Sequence, residues 1–151
     1  YPFQGREDIT CILLGTSAQC VVVHKNHPLA KEKKISLKQL SQEKFVFLDM
    51  QDPRDYLKLL KDFERNGFKP NIISQPTQYN NLIMMVESEI GITLLPRCLK
   101  QYTSPELRFI ELDSDMTIDF CVSWLKNSQN PSIPLLQNII SEECLKDIEE
   151  N

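Results

Sequence analysis

The chain has 151 residues, of which 41% are hydrophobic and 25% are charged, so one or two small α/β units with a buried core fit its composition. Its net charge is −4 and its densest basic run is Lys31-Glu32-Lys33-Lys34, which argues against nucleic-acid binding by this stretch itself. No apolar run approaches the ~20 residues of a membrane span, and residues 1–5 lack the charged–apolar pattern of a signal peptide.

The cysteines are odd in number and scattered, with no C-x-x-C motif and no zinc-type Cys/His spacing: Cys11, Cys20, Cys98, Cys121 and Cys144. Most lie within apolar runs, so buried thiols in a reducing, cytoplasmic compartment are expected. We expect no cofactor and no metal. A catalytic cysteine–histidine pair stays open as an alternative, with candidates Cys20, Cys98, His24 and His27.

Strand and helix signals follow one another through the first third of the chain. Residues 9–14 and 19–24 are predicted as two strands joined at residues 15–17, and the second contains three consecutive valines. Pro28 stops that strand, which favours a turn role for His27 over a ligand role. Ser36 can cap a short helix, and residues 45–48 are predicted as a buried strand.

The clearest helix begins at Asp52-Pro53, because an N-cap aspartate followed by proline at the first helical position is a strong start signal. Gly67 is the expected left-handed residue that ends the helix, with Pro70 just beyond. The inner stripe of this helix is apolar and consists of Tyr56, Leu59, Leu60 and Phe63.

A strand–helix–strand unit follows. Residues 71–74 suit a strand, and Thr77 is expected to cap the amphipathic helix after it. Residues 90–95 are predicted as a buried, parallel-type strand that Pro96 stops. The apolar stripe of the helix consists of Tyr79, Leu82, Ile83, Val86 and Ile90.

The last third contains two strands and a helix. Residues 108–112 alternate between polar and apolar, and residues 117–126 alternate more cleanly. Trp124 could be a ligand platform, but core packing is favoured. Ser132 can cap the final helix, whose predicted inner stripe is Ile133, Leu136, Ile140 and Cys144.

Polar turns follow two of the predicted strands, at the edge where open α/β sheets bind ligands. Both turns open helices, so unpaired N–H groups and positive dipole ends should converge there and favour a carboxylate or other small anion. Arg54 could add a charge or stay solvated, and Thr77 and Gln78 could donate to the ligand or act only as caps. The predicted ligand-binding residues are Gln51, Asp52, Pro53, Arg54, Pro76, Thr77, Gln78 and Pro96, the last as part of the rim.

Three segments carry a family resemblance: VESEIGITLLPR at residues 86–97, HKNHPLA at residues 24–30 and FCVSWLK at residues 120–126. They resemble parts of the effector domain of LysR-type transcriptional regulators. Residues 86–97 resemble the segment near the end of the second lobe, and residues 24–30 resemble the turn that leads into that lobe. Residues 120–126 resemble the return strand of lobe one. Together they cover most of the chain from about residue 9 on.

The resemblance implies an α/β, periplasmic-binding-protein-like fold with two lobes. Residues 1–23 and 113–151 would form a partial lobe one, and residues 24–112 a complete lobe two. The opening of lobe one and the winged helix-turn-helix domain that binds DNA would be missing, so the chain resembles an N-terminally truncated regulator. The implied function is to bind a small, anionic effector between the lobes, without catalysis, in a full-length protein that is a cytoplasmic homo-oligomer and contacts DNA only through the missing domain.

One position departs from the family pattern. Glu89 stands where the family commonly has a glycine, and a left-handed glutamate there would cost on the order of 1 kcal/mol. Two other functions remain as alternatives: a solute-binding protein of a transporter, which shares the fold, and an enzyme of the cysteine–histidine type, for which no motif such as G-x-S-x-G is found.

Overall fold

The computed structural model describes residues 7–50 and 52–147, with side chains up to residue 140. The chain divides into two compact units: one contains the described residues of Tyr1–Ser17 and Thr117–Asn151, and the other is Ala18–Met116. The sequence analysis expected the second unit to cover residues 24–112. The observed unit is therefore longer by a few residues at each end. Residues 19–23 belong to the second unit because they pair there with two of its strands.

The first unit contains part of β1 (Ile9–His24), β7 (Thr117–Leu125) and α3 (Ser132–Asp147). β7 pairs with β1, and the Thr16 hydroxyl donates to Asp119 Oδ1 at 2.8 Å. This contact explains why the predicted break at residues 15–17 is wrong: the segment stays extended because it pairs with β7. The predicted stripe of α3 is only partly buried, since Ile140 is buried while Leu136 is exposed; the side chain of Cys144 lies outside the described residues.

The second unit is an α/β sheet with β1 at its centre. β5 (Thr93–Pro96) and β6 (Leu107–Leu112) flank β1 and are both antiparallel to it, and β2 (Lys34–Ile35) lies parallel to β6. β3 (Lys44–Val46) and β4 (Asn71–Ser74) are parallel to each other. A parallel bridge between Phe45 and Ile92 joins β3 to the β5 side, so the strand order is β4-β3-β5-β1-β6-β2.

Helices cover the two faces of this sheet. α1 (Pro53–Arg65) packs Leu59 and Phe63 against the face that carries Val21, Val23 and Leu94. α2 (Tyr79–Glu87) packs Leu82 and Val86 against the opposite face, which carries Val22 and Leu95. Three short 3₁₀ helices lie in the connections: Pro28–Lys31, Leu37–Leu40 and Arg97–Tyr102. In the described part of the chain, no helix is long and apolar enough to cross a membrane.

The limits of α1 agree with the sequence prediction. Asp52 is the N-cap, Pro53 is the first helical residue and Gly67 adopts a left-handed φ of 85°. The prediction for α2 is wrong at its start, because the N-cap is Gln78 and not Thr77. β5 also differs from its prediction: it is buried as expected, but it begins at Thr93 and pairs antiparallel with β1.

A tight turn between α2 and β5 explains why the strand starts late. Glu89 has a φ of 58°, so it adopts the strained conformation considered above, and its Oε1 lies 3.0 Å from Nδ1 of His24. Gly91 then passes so close to β3 that an added Cβ would stand 2.7 Å from the carbonyl oxygen of Lys44. This contact requires glycine, and it joins the helix–turn segment to the parallel part of the sheet.

Candidate functional site

The carboxyl ends of β3, β4 and β5 lie at one edge of the second unit because the three segments run parallel. Beyond β3 and β4 the chain continues side by side: Phe47 N–H donates to Ser74 O at 3.2 Å, and Asp49 N–H donates to Pro76 O at 2.9 Å. The turns that precede α1 and α2 therefore start from neighbouring positions. We call this the carboxyl edge; it contains the predicted residues 52–54, 76–78 and 96, whereas Gln51 lies outside the described residues.

The N-terminus of α1 is already occupied. Pro53 has no N–H, the N–H of Arg54 donates to Asp52 Oδ1 at 2.9 Å, and that of Asp55 donates to Asp52 O at 3.1 Å. The Arg54 guanidinium also pairs with Asp52, with Nε 3.0 Å from both carboxylate oxygens. These hydrogen bonds hold the pKa of Asp52 at about 2. The N–H groups of Arg54 and Asp55 at this end of α1 are therefore already bonded to Asp52, and the charge of Arg54 is neutralised by the same carboxylate.

The N-terminus of α2 is open. Gln78 makes no side-chain cap, and the first helical bond runs from Leu82 N–H to Gln78 O at 3.2 Å. Within the described residues, no acceptor is found for the N–H groups of Tyr79, Asn80 and Asn81. Thr77 and Gln78 are exposed. An open first turn next to the exposed Thr77 hydroxyl and Gln78 amide can bind an anion by the N–H groups and the helix dipole.

The sequence analysis missed one polar residue at the carboxyl edge, Gln19. Gln19 opposes Pro96 in the β1–β5 ladder, and its side chain is buried with only 9% exposure. Among the described residues, its Oε1 is one of three buried side-chain atoms without a hydrogen-bond partner; the others are Tyr79 Oη and Thr93 Oγ1. A polar residue directly before the apolar run 20–23 was the available signal.

The histidines lie at the opposite edge of the unit. They line a pocket of about 190 Å³ with Glu43, Glu89 and Gly91, among others. His27 Nε2 stands 3.4 Å from Glu43 Oε2, and its Nδ1 accepts from Leu29 N–H at 3.3 Å, which is the turn role predicted for it. In the part of the chain that is described, no group of three or more His, Cys, Asp or Glu is placed to hold a metal ion.

The cysteines give little support to a catalytic role. Cys20 is buried as expected, and burial raises the pKa of its thiol, which disfavours the thiolate that nucleophilic catalysis needs. Cys98 is exposed, so the expectation of a buried thiol is wrong there. Both histidines are paired with glutamates.

The pair of Asp52 and Arg54 makes a pH-dependent contribution to stability. Because the folded-state pKa of Asp52 is lowered from 3.8 to about 2, its contribution is present above about pH 4 and is lost as the pH falls towards 2. We therefore expect Asp52→Asn to be less stable than the parent at pH 6, with the difference vanishing near pH 2. Urea unfolding at both pH values measures it, and a difference that persists unchanged at low pH would contradict the assignment.

Taken together, the open first turn of α2, the turn at the start of α1 and the ends of three parallel segments meet at one edge of an open α/β sheet, where Gln19 Oε1 has no hydrogen-bond partner among the described residues. This arrangement defines a small-ligand-binding domain, because ligands bind at the carboxyl ends of strands in such sheets.

A family model, the LysR substrate binding domain, matches residues 2–145, and the chain belongs to this family. It is therefore an effector-binding domain of the LysR type, as the three segments suggested, rather than part of a transporter.

Several known proteins are similar to this chain, and the solved structures among them share its fold. The transcriptional regulator AlsR of Bacillus subtilis is 27% identical over 120 residues, which cover 78% of this chain and 40% of that protein. The effector-binding domain of QuiR in complex with shikimate superposes with a TM-score of 0.78 at 20% identity, covering 95% of this chain and 69% of that one. The BenM effector-binding domain with its effector benzoate gives a TM-score of 0.72 at 22% identity, covering 91% and 64%. The chain thus spans about two-fifths of the AlsR sequence.

Proposed function

We propose that this effector-binding domain binds a small carboxylic acid at the carboxyl edge of its second unit. The open first turn of α2 carries the proposal, because Tyr79, Asn80 and Asn81 present N–H groups that find no acceptor among the described residues. Such a turn satisfies a carboxylate with charge-assisted hydrogen bonds. Two solved relatives are described with the carboxylic acids shikimate and benzoate, which agrees with this ligand class.

The individual residues have different roles in this proposal. Thr77 and Gln78 donate to the acid from their side chains, while Pro76 and Pro96 shape the rim. Asp52, Pro53 and Arg54 form the second turn, in which the mutual pairing of Asp52 and Arg54 removes a net charge that would otherwise disfavour an anion. Gln51, which lies outside the described residues, is kept as a proposed ligand-binding residue from the sequence alone.

We further propose that the whole protein is a cytoplasmic LysR-type regulator and not an enzyme. The unit 18–116 would be lobe two, and the other unit part of lobe one. A separate N-terminal domain would bind DNA, and the full-length protein would form a homo-oligomer. The effector would act by binding one arrangement of the protein more tightly than another, which shifts the population towards that arrangement.

The first test removes the two proposed side-chain donors, by Thr77→Val and Gln78→Ala. Because Thr77 is not the helix cap, we expect little change in stability, but a dissociation constant raised about tenfold per variant, as for the loss of a hydrogen bond to a charged group. The measurement is calorimetry on the full-length protein with a panel of small carboxylic acids.

Gln42→Ala is the matched control, since Gln42 is exposed and lines the pocket at the opposite edge. Binding of an acid by both variants with the affinity of the parent would place the site elsewhere.

A further inference from the structure

Two thiols of the first unit lie on neighbouring strands, Cys11 on β1 and Cys121 on β7. Both are free and half-buried, and their side chains hydrogen-bond to each other. Since successive side chains of a strand alternate between its two faces, side chains that meet across neighbouring strands lie on the same face. The two sulfur atoms are therefore adjacent on one face of this strand pair.

Two further contacts show how the strands run past each other. Lys126 N–H donates to Asp8 O at 2.9 Å, and the Thr16 hydroxyl donates to Asp119 Oδ1 at 2.8 Å. Residue numbers thus rise along β1 as they fall along β7, so the two strands are antiparallel. Both cysteines lie between these contacts, where the strands are held together on either side of the thiol pair.

The two thiols are reduced but accessible. Burial, and then the hydrogen bond with Cys11, raise the pKa of Cys121, so its thiol is protonated at neutral pH and the pair stays reduced until an oxidant is present. Half-burial leaves both sulfurs within reach of a small oxidant, unlike the buried Cys20. In a reducing compartment, a disulfide that does form is as a rule transient and serves catalysis or redox sensing.

We infer that Cys11 and Cys121 are a redox-sensitive modification site, at which a hydroperoxide converts the two thiols into a reversible disulfide between β1 and β7. One sulfur, as the thiolate, attacks a peroxide oxygen and the O–O bond breaks, which forms a sulfenic acid and, with the thiol proton, releases water. The second sulfur attacks the sulfenic sulfur, the S–S bond forms, and the hydroxyl leaves with the second thiol proton as water. The two sulfurs are oxidised and hydrogen peroxide is reduced to two waters.

The disulfide would tie together the two ends of the described chain. The loop that it closes contains the whole second unit, residues 18–116. Closing a long loop stabilises a protein mainly by restricting its unfolded chain. We therefore expect the oxidised protein to melt about 5 °C or more above the reduced protein.

The test treats the reduced full-length protein with hydrogen peroxide, alkylates the remaining thiols and maps the peptides by mass spectrometry without reduction. We expect a linked peptide pair that contains Cys11 and Cys121, disappears on addition of dithiothreitol and accompanies the rise in melting temperature. Cys11→Ser and Cys121→Ser should each abolish the link and the rise. Cys98→Ser is the matched control, because it makes the same change at an exposed thiol on neither strand, and it should keep both.

Three results would overturn the inference. The first is a peroxide-treated parent without the link between Cys11 and Cys121, or with these cysteines linked only to other thiols. The second is a link that dithiothreitol does not reverse. The third is a rise in melting temperature that persists in a folded Cys11→Ser or Cys121→Ser variant. If the serine variants do not fold, peptide mapping of the parent and of Cys98→Ser decides.

Discussion

Replacing Phe63 by alanine is expected to lower the free energy of unfolding by about 3–5 kcal/mol, the usual range for a fully buried phenylalanine. The side chain is completely buried, and its ring contacts three others, with centroids 5.1 Å from Phe45, 6.0 Å from Phe47 and 5.2 Å from Phe68. The truncation leaves a cavity between α1 and the sheet, and a well-packed core relaxes only partly around such a cavity.

Urea unfolding followed by circular dichroism measures the change in stability. Leu57→Ala is the control on the same helix, since Leu57 is 54% exposed and its truncation should change stability by no more than about 0.5 kcal/mol. If both variants lost the same stability, α1 would not be anchored to the sheet through Phe63, and the position of the turn at Asp52 would need another explanation.

The second large effect concerns binding. Asn80→Asp places a carboxylate in the open first turn of α2, where it should stabilise the helix by about 0.3–1 kcal/mol through the dipole. The same charge repels a bound carboxylate by roughly 1–3 kcal/mol at about 5 Å, for an effective dielectric constant between about 20 and 80. We therefore expect acid binding to weaken about tenfold or more, with stability unchanged or slightly higher.

Calorimetry and thermal unfolding of the same sample measure both effects. Asn71→Asp is the matched control: it makes the same chemical change at an exposed position at the start of β4, away from the carboxyl edge. Equal affinity in the parent and Asn80→Asp would show that the ligand does not use this turn. Equal losses in both aspartate variants would point to the net charge of the domain rather than to a local contact.

Interactions between neighbours in the chain were predictable from the sequence. The start of α1 depends on Asp52 and Pro53, and its end on Gly67, and each acts on backbone groups only a few residues away. The family was also correctly identified from three short segments. The ligand-binding residues remain a prediction, because the structure gives only the positions of residues 52–54, 76–78 and 96 at one edge.

The start of α2 shows why a local signal can mislead. Thr77 has the side chain of a good cap, but the chain turns into the helix one residue later, at Gln78. The hydrogen bond from Asp49 N–H to Pro76 O ties the preceding turn to the chain after β3. A contact between segments so far apart in sequence has no signature in either segment alone.

The sequence by itself determined the family, the α/β class, the limits of α1 and the left-handed Gly67 just beyond its end. Only the tertiary structure decided that β1 runs unbroken through residues 15–17 and that β5 pairs antiparallel with it. It also decided that the first turn of α2, unlike that of α1, finds no acceptor among the described residues. It alone showed the unsatisfied oxygen of Gln19. Caps and turns act within a few residues and can be read locally, whereas strand partners and unsatisfied buried groups depend on which distant segments pack together.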